Sequence, residues 1–166
     1  MTDMTRLIAS TAGDEGFRAT PYRDTRGLWT LGDGRCLETH PLSGDEWRDL
    51  LSAGQMTVSI TEDGAAALMR GQLQAVEARL AADYRDFWAS LNDARQNALI
   101  EMAYQMGIEH EEEFHDMLGD IRIALRLNTP GAWQAVKAAG LNSLWAKQTT
   151  ARAERLMTQL ASGVFA

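Results

Sequence analysis

Cysteine is almost missing from this chain, with one in 166 residues. A single thiol cannot close an internal bridge, which excludes a disulfide scaffold and leaves the redox compartment open. Long apolar runs are missing too. None approaches about 18 residues, so no membrane-spanning helix is expected. No basic stretch leads into an apolar one near the start, so a secretory signal peptide is not expected either. Positive charge is in deficit: 16 Lys and Arg face 23 Asp and Glu, a net −7. That balance argues against a dedicated nucleic-acid binder, which needs a net basic face.

What is present is enough for a core. The length suits one compact domain, or two small lobes sharing a helix. Folding at this size buries about 70% of the unfolded surface, so neither a metal nor a disulfide staple is required. The charge is unevenly spread. Up to residue 120 there are 22 acidic and 10 basic side chains, a balance of −12; beyond it there are one and six, a balance of +5. Such a layout suits an anionic ligand directed toward the C-terminal part. A solvated surface of uneven composition accounts for it as well.

Helical periodicity dominates, with one exception near the start. Met4, Leu7 and Ile8 give a short amphipathic helix ending near Gly13. Between Phe17 and Leu37, glycines at 27, 32 and 34 punctuate short runs carrying Tyr22 and Leu28 to Leu31. With Arg26-Gly27 as a turn, this predicts a small antiparallel sheet. Ser43-x-x-Glu46 is a capping box ahead of Trp47, Leu50 and Leu51, in a helix that Gly54 is placed to close. A longer helix starts at Thr61, with Glu62 and Asp63 suiting its macrodipole. Further helices are predicted from Asp93 to Met106, from Phe114 to Leu125, from Thr129-Pro130 to Gly140, and around Ala153 to Leu160. The class is α+β, mostly helical. Residues 14–60 form a small sheet-bearing lobe, 61–81 a connecting helix, and 82–166 a helical lobe against which helix 4–12 packs.

The richest chemistry lies between Asp14 and Gly32. Glu15 stands at the end of the first helix, and Asp24 and Thr30 flank the predicted turn. Hydrolysis of a glycosidic bond needs two carboxyls: one protonated, to donate to the leaving oxygen, and one ionised, to activate water or stabilise positive charge. In an acidic chain, however, two carboxylates nine residues apart are more often solvated surface. The spacing alone does not make an enzyme.

The segment nevertheless resembles the catalytic stretch of the bacteriophage T4-type lysozymes, written Glu, eight residues, Asp, five residues, Thr. Glu15, Asp24 and Thr30 fit without an insertion. Glu-Gly after the helix, Tyr-x-Asp-Thr at the first strand and Thr-Leu-Gly-x-Gly after the turn also match. The likeness continues through Ile60-Thr61 and through Ser90-Leu91-Asn92-Asp93-Ala94-Arg95 with Tyr104-Gln105-Met106-Gly107. It reaches the C-terminal region in Ser143-Leu144-Trp145 and Gln148-Thr149-Thr150-Ala151-Arg152 with Arg155.

The resemblance implies a two-lobed endolysin, a glycoside hydrolase that cuts the β-1,4 bond between N-acetylmuramic acid and N-acetylglucosamine in peptidoglycan. It assigns Glu15 as the acid, Asp24 as the carboxylate that activates or positions water, and Thr30 as the hydroxyl that holds that water. Inversion is implied, with carboxyls about 6.5–9.5 Å apart. Arg152 matches the arginine that pairs with the acid, and Tyr104 and Gln105 match positions lining the cleft. Cys36 joins them as a substrate-binding candidate, although it also reads as a small half-buried strand residue. No cofactor and no metal is implied. The partner is the glycan strand, reached from the host cytoplasm after holin-type permeabilisation. A monomer is expected, with neither nucleic acid nor stable membrane insertion.

Departures accompany the matches. Arg35 stands where the family often has a histidine, and Gln72 where that histidine's acidic partner is expected. Asp33 puts a carboxylate where an apolar residue is commoner, and Leu144 replaces a second arginine. Wall binding is expected to lean on Lys147, Arg152 and Arg155. The run from Glu109 to Asp116 holds metal-ligand residue types, but His110 and His115 do not share a helix face. Two rival readings stand beside the muramidase. One is a weakly catalytic wall-binding or virion-structural protein; the other is a glycosidase acting on chitin-like polymers.

Overall fold

A computed structural model of the chain describes residues 3–54, 60–107 and 114–166. The expected α+β class holds: helices predominate, and three short strands form one antiparallel sheet near the N-terminus. The chain divides into two compact units, Met4–Gln72 and Leu73–Ala166 with Asp3.

The first unit begins with α1, Met4–Glu15, whose Leu7 and Ile8 are buried. It runs two residues past the expected end, because Gly13 keeps helical geometry and Gly16 (φ 76°) makes the left-handed turn instead. By its contacts α1 falls in this unit. The sheet follows as β1 Arg18–Arg23, β2 Trp29–Gly32 and β3 Arg35–Cys36, in the order β1-β2-β3. Tyr22 pairs with Thr30 and Thr30 with Cys36, while the β1–β2 register shifts between Arg18 and Tyr22. Leu31, Leu50, Ile60, Ala65 and Leu68 form the core beneath, with Phe17, Leu37 and Leu42 packed on it.

Next comes α2, Gly44–Ser52, with the full capping box: Glu46 N–H donates to Ser43 Oγ (3.1 Å), and Ser43 N–H donates to Glu46 Oε2 (2.7 Å). Gly54 follows the cap residue Ala53 at φ 65°, as its position suggested. Arg35 pairs with Glu46, with Nη2 3.2 Å from Oε2. It also donates to the carbonyls of His40 (2.7 Å) and Pro41 (3.2 Å). One carboxylate thus both caps α2 and ties it to β3.

Thr61 caps α3, Glu62–Asp83, by accepting the Gly64 N–H at 3.1 Å. At about 1.5 Å per residue this helix is roughly 33 Å long. The division between the two units falls within it, after Gln72.

In the second unit, α4 (Asp93–Met106) is buried almost all round from Ala94 to Ala103, the mark of a central helix. Around it lie α5 His115–Leu127, α6 Pro130–Leu141, α7 Leu144–Gln148 and α8 Thr150–Ser162. The N-terminal end of α4 is fastened to the last turn of α8. Arg95 stacks on Trp133 (3.5 Å to the ring centre) and donates to Leu160 O at 2.9 Å. Nearby, Asn92 Nδ2 donates to Gly163 O and Gln159 Nε2 to Ala94 O. The five-residue α7 was not legible beforehand, since so short a segment carries no periodicity. Its start is set by Ser143, which accepts the Ala146 N–H at 3.0 Å.

The double duty of Glu46 gives a stability test. Glu46→Ala should cost about 1–2 kcal/mol in urea unfolding, by loss of the cap and the ion pair. Glu46→Gln retains an acceptor for Ser43 N–H and should lose about half as much.

Candidate functional site

Glu15 is the last residue of α1, half-buried where Gly16 redirects the chain into β1. Its carboxyl lies against the β2–β3 turn. A Cβ built on Gly34 would sit 3.3 Å from Glu15 Oε2, and Gly34 has φ 94°. Only glycine suits both that conformation and that closeness.

Asp24 opens the β1–β2 turn and organises it. Its Oδ1 accepts the N–H of Arg26 (2.9 Å) and of Leu28 (2.8 Å), while Arg26 Nε lies 3.3 Å from Oδ2. The backbone closes around it: Asp24 N–H donates to Leu28 O and Gly27 N–H to Asp24 O, each at 2.9 Å. The Leu28 amide first, then that of Arg26 and its guanidinium, hold the Asp24 carboxyl below its ordinary value, with desolvation opposing them. Thr30 is buried, and its hydroxyl donates to the same Leu28 carbonyl at 3.2 Å. Asp24 and Thr30 are therefore tied through one peptide unit.

Tyr22, Thr30 and Cys36 form a cross-strand row and so share a face of the sheet. Cys36 is half-buried, its thiol pulled down chiefly by a hydrogen bond with the Thr39 side chain. Burial pushes the Tyr22 phenol up; Arg18, 4.4 Å over its ring, opposes this, and Glu15, Asp24 and Asp33 reinforce it. Asp33 sits in the turn between Gly32 and Gly34, 8% exposed. Desolvation raises its carboxyl, with Glu62 and Glu15 adding to the effect. Sequence reading passed over Glu62 except as a helix-start acid. Its nearness to Asp33 comes from the approach of Gly32 to Ala65 of α3, where an added Cβ would stand 2.9 Å from the alanine Cβ. No local pattern encodes that contact.

Of the residues named from sequence, Glu15, Asp24, Thr30 and Cys36 belong to the first unit; Tyr104, Gln105 and Arg152 belong to the second. Gln105, half-buried at the end of α4, accepts Trp145 Nε1–H at 2.9 Å. Tyr104 beside it and Arg152 in the first turn of α8 are half-buried too. Arg155, expected to serve wall binding, donates to the buried Glu101 at 2.9 Å. Lys147 is exposed, and so is Leu144 where the second arginine was expected. Residues 109–113 of the acidic, histidine-bearing run lie outside the described residues. Among the described residues no cluster of metal-ligating side chains occurs, and no helix is long and apolar enough to cross a membrane.

The family model described as phage lysozyme matches residues 12–159. The chain belongs to the phage lysozyme family. Two relatives frame that membership. The pre-baseplate central spike protein Gp5 of Enterobacteria phage T4 is 30% identical over 159 residues, 90% of this chain but 26% of that protein. The probable T4-type lysozyme 1 of Dictyostelium discoideum is 24% identical over 160 residues, 90% of each. The chain thus spans about a quarter of the phage relative and nearly all of the other.

The Asp24 turn is open to a direct test. Asp24→Ala should speed amide hydrogen exchange at Arg26 and Leu28 about fivefold, whereas Asp24→Asn, which keeps an acceptor oxygen, should change it less. Because folding lowers this carboxyl's pKa, the turn is fully stabilised above the ordinary value of about 3.8. Protection of these amides in the native protein should fall away as pH drops below that value.

Proposed function

We propose that the protein is a muramidase, cleaving the β-1,4 bond between N-acetylmuramic acid and N-acetylglucosamine by a single, inverting displacement. The observation that carries this reading is the pair of unlike carboxyls in the family's spacing. Asp24 is kept ionised by backbone amides, and Glu15 stands half-buried against a glycine turn. Glu15 gives its proton to the leaving oxygen as the bond breaks. Water adds from the opposite face of the sugar ring.

A carboxylate whose pKa is depressed is a weak base, so Asp24 does more by charge than by accepting a full proton. Oδ1 already accepts two amide hydrogens; Oδ2, with the longer Arg26 contact, orients the water and faces the positive charge developing on the sugar. The Thr30 hydroxyl, donating to Leu28 O, keeps lone-pair capacity to accept from the same water. Sugar filling the site excludes water from around Glu15. In the second unit, the family resemblance makes Arg152 and Tyr104 substrate-binding residues. Gln105, its oxygen engaged by Trp145, offers its amide nitrogen to a sugar carbonyl. Cys36 contributes the edge of the Thr30 face.

The biological setting follows the same proposal: a monomeric endolysin made in the bacterial cytoplasm, reaching the wall after a holin permeabilises the membrane. A second reading is favoured by one finding, the match to about a quarter of a phage spike protein. On that reading this lysozyme is carried on the virion.

Purified protein should clear isolated sacculi, and Glu15→Gln should slow this by about a hundred- to ten-thousand-fold. Mass spectrometry of the released fragments should show reducing muramic acid ends. Clearing that survives Glu15→Gln would overturn the mechanism. Recovery of the protein in purified virions rather than in lysate alone would favour the spike-like setting.

A further inference from the structure

Part of the C-terminal surplus of positive charge gathers where the proposed mechanism does not use it. On the second unit an open groove of about 720 Å³ lies among the short turn Trp88–Ser90, the first turn of α4, the end of α5, and α6. Three arginines line it, Arg95, Arg122 and Arg126, against one carboxylate, Asp86. In a chain of net charge −7 this is a local surplus of two positive charges.

Two of the guanidiniums are held in place by the fold itself. Arg95 stacks on Trp133, 3.5 Å from the ring centre, and a Cβ added at Gly163 would stand 2.9 Å from its Cζ. Its Nε donates to Leu160 O (2.9 Å) and its Nη2 to Ala161 O (3.3 Å), while Nη1 meets no acceptor among the described residues. Arg122 lies 4.7 Å over the Phe87 ring and is braced by Asp86, with Nε 2.7 Å from Oδ2. Arg126 stands one turn further along the same face of α5, exposed and without an ionic partner among the described residues. Aromatic rings thus occupy guanidinium faces and leave the N–H edges for a ligand. Such edges match the paired oxygens of a carboxylate or a phosphate.

The remaining lining decides between those two anions. Asp86 sets a negative charge among the arginines, which opposes a phosphate dianion more than a single carboxylate. Ser90 and Asn128 are exposed, and their side chains have no partner among the described residues, so they offer a hydroxyl and an amide to peptide groups. Leu125, Phe87 and Trp133 add an apolar wall. We propose that this groove binds an acidic segment of a partner protein, an extended peptide whose carboxylates meet Arg95 and Arg126 and whose backbone meets Ser90 and Asn128. The proposal stands whether or not the chain is a muramidase. Arg95 lies in the first turn of α4 and Gln105 in its last, about 15 Å apart along the axis. A short segment docked at the first turn leaves Gln105 and Tyr104 uncovered.

The test follows amide and indole NMR signals of the full chain during titration with a short capped peptide of alternating glutamate and serine. Signals of Ser90, Arg126, Asn128 and the Trp133 indole should shift saturably, and added salt should weaken the binding. Arg126→Gln, at an exposed position, should keep the native spectrum and weaken binding about tenfold, and Arg126→Glu should abolish it. The same peptide with glutamine in place of glutamate should not bind. Absence of shifts in the wild type, equal binding of the glutamine peptide, or unchanged affinity in Arg126→Glu overturns the proposal. So does tighter binding of inorganic phosphate than of the acidic peptide. Sacculus clearing that falls in Arg126→Gln assigns the groove to the wall and overturns the partner; unchanged clearing with weakened peptide binding supports it.

Discussion

The first unit depends on one carboxylate satisfied by its own backbone. Asp24 accepts two amide hydrogens across a five-residue turn, and Leu28, whose N–H supplies one of them, receives the Thr30 hydroxyl at its carbonyl. The same set of bonds gives the hairpin its shape, keeps the carboxyl ionised and fixes a hydroxyl beside it. Replacing Asp24 by a residue without an acceptor would alter the strand connection as well as the chemistry. Structure and proposed mechanism cannot be altered separately at this position.

On the other side of the sheet, glycine does what a side chain could not. Gly34 lets the end of α1 approach the β2–β3 turn, so that Glu15 stands against backbone. Arg35, next along, reaches outward to Glu46 and two carbonyls. Arg35 and Glu46 thus form an ion pair within the same unit. The pair is coupled to a helix cap, so one carboxylate serves a hydrogen-bonding and an ionic role together.

Much of this was legible beforehand because it is local. Capping residues, glycines at turns and apolar spacing depend on neighbours within a few positions, and Ser43, Thr61, Thr129 and Gly107 all stand where those rules place them. The proposed catalytic triplet was readable only through its family spacing, since carboxylates in an acidic chain carry little information singly. Contacts made by folding were not legible. One is the pairing of Arg155 with the buried Glu101, 54 positions away. The partner of Arg35, the five-residue α7 and the nearness of Glu62 to Asp33 escaped for the same reason.

Acidity, at first a mismatch with wall binding, takes on a more definite meaning. Negative charge gathers around the sheet, where Glu62 and Glu15 add to the rise at Asp33, and Glu15, Asp24 and Asp33 add to that at Tyr22. Such a surface suits donation of a proton and stabilisation of a cationic sugar, rather than attraction of a polyanion. The central claim is a single displacement by water held at Asp24 and Thr30, with Glu15 as the acid. Proton NMR of the first reducing ends released from glycan strands tests it most directly. The account predicts that these ends appear as the α-anomer before mutarotation; initial release of the β-anomer would contradict it.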